Sequence, residues 1–300
     1  MTKSRPWASL PAEIRRMILE AIAQQKHPGW ASLASVSREW QAVIARENLG
    51  RLKLEASCLE DMERLIVRQQ HLIRHIQLEV ELPRYSCDQC TKDTSMCERQ
   101  EENDVLGRGI STLFRILSTW ESAGQRQASN HGLTLDLNAY SPSDAEHWFK
   151  RFHFSSHAHG NNDGNCQWDD PGHGWINGKQ VATPPAAAIP RLFSIVSPAL
   201  LEELPQVASI TRLTIRRQLR RAFCIGALLR VLVRLNGLEH LVYEPWRQWS
   251  NGPRDLYDQC KRAPCEPFCF SSIVPFLTSG YSLAGSCRTP SQDPQDSVRL

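Results

Sequence analysis

The chain has 300 residues, 41% hydrophobic and 22% charged, which suits a sizeable core and argues against global disorder. Its formal net charge of +3 is too small to argue for nucleic acid as a partner. No apolar run reaches the length that spans a bilayer, and Arg15 and Arg16 interrupt any signal-peptide core, so a cytoplasmic or nuclear location with no membrane partner is expected. In that setting the ten cysteines are expected as free thiols or metal ligands, with Cys58 and Cys224 in apolar surroundings as ordinary core residues.

Residues 1–8 form a short polar tail, and a helical pattern begins at Leu10. Pro11 suits a first turn, where its missing N–H costs nothing, and Glu13 complements the positive helix end. Ile14, Met17, Ile18, Ala21 and Ile22 recur at helical spacing as one apolar stripe. His27-Pro28-Gly29 breaks the helix, Trp30 to Val36 predict a short second one, and Ser37 is a good N-cap for a third carrying Trp40, Val43 and Ile44.

Residues 9–48 resemble an F-box: Leu10-Pro11-x-Glu13-Ile14, then Ile18-Leu19, Leu33-Ala34, Val36-Ser37-Arg38 and Trp40, with both halves of the motif in order and at the right spacing. The resemblance implies a three-helix module that docks onto the Skp adaptor of a Skp–cullin–F-box ubiquitin ligase. The adaptor-binding residues would be Leu10, Pro11, Ile14, Ile18, Leu33, Val36 and Trp40. A module of this size buries little surface alone, so apolar positions left over suit a helical partner. The competing reading is a helical cap whose same residues pack internally on the larger domain.

Beyond residue 50 the period alternates between two and 3.6. A strand is predicted with Leu52 and Leu54 on one face, then a helix over 59–70, then a strand over 73–82 with Ile76, Leu78, Val80 and Leu82 aligned. Residues 83–104 read as a polar loop with Cys87-x2-Cys90 and Cys97. The CxxC suggests half a zinc site or a redox pair, but a structural zinc site wants four ligands and this segment holds three, so a fourth would come from elsewhere, a histidine for example; the expected reading is loop thiols without metal. No cofactor is assigned. A helix over 105–123 (Ile110, Leu113, Phe114, Leu117, Trp120), a strand over 131–141 and a short helix over 142–151 follow.

Residues 152–190 read as a long irregular surface insert. Its His153, His157, His159, Cys166, Asp169, Asp170 and His173 match no metal-binding spacing, and Trp168 and Trp175 are expected to pin the loop to the scaffold rather than to recognise a target. Alternation resumes with a helix over 191–204 interrupted by Pro198, a strand whose Ile210, Leu213 and Ile215 are imperfectly spaced, a helix over 222–237 and a strand from 238. Arg212, Arg216, Arg217, Arg220 and Arg221 read as a solvated face.

Residues 9–260 as a whole are similar to a group of filamentous-fungal F-box proteins, through Tyr85–Cys90, Leu117–Glu121, Glu146–Lys150, Gly172–Lys179, Ile215–Arg221 and Glu244–Arg247. The resemblance implies the F-box class and no catalytic residue. The expected fold is α+β: an F-box at 9–50, an irregular leucine-rich-like strand-helix domain at 51–260, and an aberrant or disordered tail at 261–300. The expected function is a non-catalytic substrate receptor joining the Skp adaptor, and through it a cullin, to an unknown protein target. The alternatives are an adaptor-binding protein acting outside the ligase, or a metal-dependent enzyme using the His/Asp-rich insert.

Overall fold

The computed structural model describes residues 7–25, 27–66, 68–121, 132–149 and 172–245. Helix α1 (Ala12–Gln25) follows Pro11 and carries Glu13 in its first turn. The predicted second helix is a six-residue 3₁₀ segment, Trp30–Ser35. Helix α2 (Arg38–Leu49) is capped by Ser37, whose side chain accepts a hydrogen bond from the Trp40 N–H at 3.3 Å. Leu19, Ala23 and Val43 are buried together, with Trp30 and Trp40 packed against them. Arg15 locks α1 to α2, pairing with Glu39 at 2.7 Å while donating to the Leu10 carbonyl at 3.0 Å.

Helix α2 runs into the next strand through Gly50 alone, with no linker. The Gly50 carbonyl accepts hydrogen bonds from both Arg74 N–H and His75 N–H at 3.1 Å. The helical module is therefore joined to the sheet by backbone hydrogen bonds as well as by the chain.

Strand and helix then alternate: β1 (Arg51–Glu55), α3 (Leu59–Ile66), β2 (His75–Glu81), α4 (Met96–Glu121), β3 (Leu133–Tyr140), α5 (Pro142–Glu146). A short hairpin, β4 (Trp175–Ile176) and β5 (Lys179–Gln180), precedes α6 (Ala188–Leu192) and β6 (Ile195–Val196). A 3₁₀ turn (Ala199–Glu203), β7 (Ile210–Ile215), β8 (Ala222–Phe223), α7 (Ile225–Leu232) and β9 (His240–Tyr243) complete the described chain. The main sheet is five-stranded, order β1-β2-β3-β7-β9, and every neighbouring pair is parallel. Parallel neighbours need crossover connections, and here each crossover leads to the adjacent strand.

The pleat sorts the residues. Leu52, Ile76, Leu135, Leu213 and Leu241 share one row across all five strands. Their face meets the helices in one core that includes Leu59 and Met62 of α3, Ile110, Leu113, Phe114 and Leu117 of α4, and Ala227 and Val231 of α7. The imperfect spacing expected in β7 has a cause. Leu133 pairs with Ile210 but Thr134 pairs with Arg212, so Thr211 is an extra residue at a β-bulge.

Several expectations are corrected. Helix α4 starts at Met96, so the second half of the 83–104 loop is helical. The 191–204 helix is instead the end of α6, then β6 and the 3₁₀ turn, because Pro198 stops a continuous ladder. Cys58 is exposed, and Cys224 is half-buried, its sulfur accepting from the Ala227 N–H at the start of α7. Arg220 and Arg221 are buried rather than solvated. Within 172–190 the chain forms the hairpin and the start of α6; the rest of the insert, with Trp168, His153, His157, His159, Cys166, Asp169 and Asp170, lies outside the described residues, as does the tail at 261–300. Among the described residues no helix is long and apolar enough to cross a membrane.

Candidate functional site

Three surfaces or clusters have chemistry beyond packing. The first is the outer face of α1. The inward residues of this helix are Leu19 and Ala23, so the apolar stripe read from the sequence points the other way. Ile14 is 43% exposed, Met17 64% and Ile18 37%, with Val36 at 64% beside the end of the 3₁₀ segment. Pro11 is exposed, and Leu10 and Leu33 are half-buried. Trp40 departs from this set: it packs against the small core and holds the helices together. A large-residue stripe at i, i+3 and i+4 that faces solvent leaves apolar area for another surface to cover.

The second is the face of the sheet opposite the helices. One row reads Arg51, His75, Thr134, Arg212, His240; the next reads Lys53, Gln77, Asp136, Thr214, Val242. Cross-strand pairs set the side chains: His75 Nε2 lies 2.7 Å from Asp136 Oδ2, and Lys53 Nζ 3.0 Å from the buried Glu79. This polar face is ordered by pairing between parallel neighbours, so its charges sit at fixed positions.

The third lies beyond the carboxyl ends of β2, β3 and β7. Arg221, which follows β7, is 1% exposed. It donates to Asp144 Oδ2 and Glu102 Oε1 at 3.3 Å each and to the Leu192 carbonyl at 2.6 Å. Asp144 also accepts from the Tyr85 hydroxyl at 3.0 Å, and Ser194 donates to Glu102 at 3.2 Å. Burial, then the Asp144 charge, pushes the Tyr85 hydroxyl far above its ordinary range, so it stays a neutral donor. Arg191 lies 4.7 Å over the Tyr85 ring, pairs with Glu98 at 3.0 Å and donates to the Lys92 and Asp93 carbonyls. Two buried arginines thus tie the loop after β2 to α4, α5 and α6.

Burial pushes the Glu98 carboxyl up, but hydrogen bonds from Arg191 and from the Ser95 backbone and hydroxyl outweigh it and hold the group at about 2. Because the folded value is depressed, the stabilisation is fully present above the ordinary value of 4.5 and is lost as pH falls toward about 2. Glu98→Gln should therefore weaken the fold near neutrality and do so less at each step of acidification below about 4.5. Chemical denaturation of both proteins at stepped pH measures this; a difference independent of pH would refute it.

Tyr85 leads to a corner of sulfur and nitrogen donors. Its ring stacks on His147 at 5.3 Å, and its carbonyl lies 3.4 Å from His147 Nε2. His147 and His173 meet edge-on at 4.8 Å, and His173 packs edge-on against Trp148 at 5.2 Å. Cys87 Sγ is 3.0 Å from His173 Nε2. One donor atom from each of Cys87, Cys90, His147 and His173 lies within 4.8 Å of all the others. Burial, then proximity to His147, lowers the His173 imidazole, which favours the neutral ligand form. The third cysteine considered from sequence, Cys97, is exposed in the first turn of α4 and is outside this group.

His173 is placed by backbone geometry. Gly174 has φ +72°, and a Cβ there would sit 2.9 Å from the Ala182 carbonyl oxygen and 3.1 Å from the Trp148 ring. Trp175 is buried and donates to the Trp148 carbonyl at 3.0 Å, pinning the hairpin as expected. Asn177 and Gly178 both have positive φ, as a two-residue hairpin turn demands. His147 drew no attention as a ligand from sequence because nothing local marks it; the Asn177-Gly178 pair between Ile176 and Lys179 is the available signal that the segment around His173 is ordered.

No family model matches the chain, and neither a curated protein nor a solved structure matches it significantly.

Proposed function

We propose that this chain is a substrate receptor: its N-terminal helices dock onto the Skp adaptor of a cullin-type ubiquitin ligase, and its strand-helix domain holds a protein target. The observation that carries this reading is the outward stripe of Ile14, Met17 and Ile18, next to exposed Pro11 and Val36; of these, Pro11, Ile14, Ile18 and Val36 are positions that the F-box resemblance assigns to the adaptor. Small modules of this kind gain stability by covering such a stripe with a partner helix. The rigid seam at Gly50 suits the role, since a receptor must hold its target in a fixed relation to the adaptor. The polar sheet face, with Arg51, His75, Arg212 and His240 in one row and Lys53 and Asp136 in the next, is the surface assigned to the target; its largely basic pattern favours a protein partner carrying acidic side chains. Catalysis would belong to other subunits.

The test is co-purification. The full chain mixed with purified Skp adaptor should elute as one complex, and Leu10→Ala with Pro11→Ala should remove it without changing the melting temperature by more than a few degrees. An interface typically depends on a few anchors worth ~2 kcal/mol or more each. Unchanged co-purification by the double variant overturns the reading. Binding of the adaptor without recovery of a cullin from the same purification would instead support action outside the ligase.

A further inference from the structure

The geometry points to a structural zinc site formed by Cys87, Cys90, His147 and His173. Three separate segments supply the ligands: the loop after β2, the end of α5 and the turn leading into the β4–β5 hairpin. Their donor atoms lie within 4.8 Å of one another. In a tetrahedral zinc site with two sulfurs and two nitrogens the ligand atoms are about 3.8 Å (S–S), about 3.6 Å (S–N) and about 3.3 Å (N–N) apart, given bond lengths near 2.3 Å and 2.0–2.1 Å. The 3.0 Å approach of Cys87 Sγ to His173 Nε2 needs to open by only about 0.6 Å to reach that edge.

The second shell of His147 is in place. His147 directs Nε2 at the Tyr85 carbonyl, 3.4 Å away, so that an N–H there fixes the tautomer and leaves Nδ1 as the donor. That Nδ1 is buried and has no hydrogen-bond partner. A buried imidazole nitrogen without a partner carries a desolvation cost that a metal would remove. The Tyr85 backbone is itself held by its N–H bond to Ser143 Oγ at 3.2 Å and by the hydroxyl bond to Asp144. The left-handed Gly174 brings His173 to the same corner.

The donor set selects the metal. Two thiolates and two neutral imidazoles form a neutral complex with a divalent ion, which suits a partly buried corner. Sulfur and imidazole together disfavour magnesium and calcium, and a mutually close four-ligand set fits one ion rather than a two-iron cluster. With all four positions taken by protein, the site is closed, as structural sites are, and leaves no place for a catalytic water. Its role is to staple the hairpin and α5 to the loop after β2.

Metal analysis of the purified full chain tests this. Stoichiometric zinc is expected, with iron absent. Cys90→Ser, His147→Asn and His173→Asn should each lower bound zinc by at least ~10-fold, since even second-shell changes cost 10–100-fold in affinity. Cys97→Ser should retain all of it. Growth in cobalt should give the visible absorption of a tetrahedral site with thiolate charge transfer. His173→Cys, which keeps a ligand, should retain cobalt with a stronger charge-transfer band, so that loss of metal through misfolding is distinguished from loss of a ligand. Metal-free wild-type protein that cannot be loaded with zinc or cobalt, zinc retained by Cys90→Ser, or iron in place of zinc would each overturn the proposal.

Discussion

Arg221→Ala is expected to destabilise the fold by about 3–5 kcal/mol, read as a lower denaturant midpoint in urea. The magnitude follows from what remains after the substitution. Glu102 is 5% exposed and Asp144 4%, and both carboxylates lose their guanidinium in a place water does not reach. The Leu192 carbonyl also loses a 2.6 Å hydrogen bond. The pair energy itself is not the cause: a buried ion pair roughly breaks even against well-packed apolar groups, whereas one stranded charge does not. Arg221→Met combined with Glu102→Gln and Asp144→Asn should therefore recover much of the loss. A cost below ~1 kcal/mol for Arg221→Ala, the range of surface ion pairs, would show that solvent reaches the cluster.

Ile14→Asp with Ile18→Asp should have the opposite signature: little change in stability and loss of adaptor binding. Both side chains face solvent in part, Ile14 at 43% and Ile18 at 37%, and the buried Leu19 and Ala23 that hold the small core are untouched. Against a partner helix, each would bury a carboxylate with no counter-charge, and two anchors at ~2 kcal/mol each correspond to roughly a thousandfold in affinity. Calorimetric titration of the adaptor, with thermal melting of the free chain, reads both effects. If the variant unfolds instead, the stripe packs internally and the N-terminal helices are a cap on the domain. If it folds and binds normally, the docking surface lies elsewhere.

Much of the scaffold was legible because each buried strand repeats its apolar residues at period two. Ile76, Leu78, Val80 and Leu82 announce β2, and Leu133, Leu135 and Leu137 announce β3, without reference to any partner. The apolar face of helix α4 begins near Val105, so periodicity predicts a helix only from there and a loop over its first turns. The start was nonetheless encoded: the Ser95 N–H donates to Glu98 and the Glu98 N–H to Ser95 Oγ, the reciprocal pairing of a capping box. The Thr211 bulge was visible only as bad spacing, because a bulge is defined by the partner strand. The arginines after β7 carry no local mark of their burial for the same kind of reason. Arg216 and Arg217 are exposed while Arg220 and Arg221 are buried, and Arg221 is held there by Asp144 and Glu102 from other elements.

The donor corner divides the same way. Cys87-x2-Cys90 was identifiable as half a site from spacing alone, because a tight turn sets both sulfurs on one side. Its other half was not, since His147 and His173 are separated from it by more than fifty positions and join it only when β2 and β3 pair.

By itself the sequence determined the alternation of strand and helix, the helical breaks at Pro and Gly, and the apolar stripe on α1, all of which depend on residues within a turn or two of one another. It left open which way that stripe points. Only the tertiary structure decided that Leu19 and Ala23 face inward and Ile14, Met17 and Ile18 outward, which arginines are buried, and which histidines meet the two cysteines. Burial and side-chain convergence depend on groups brought together from distant parts of the chain, and no local pattern carries that information.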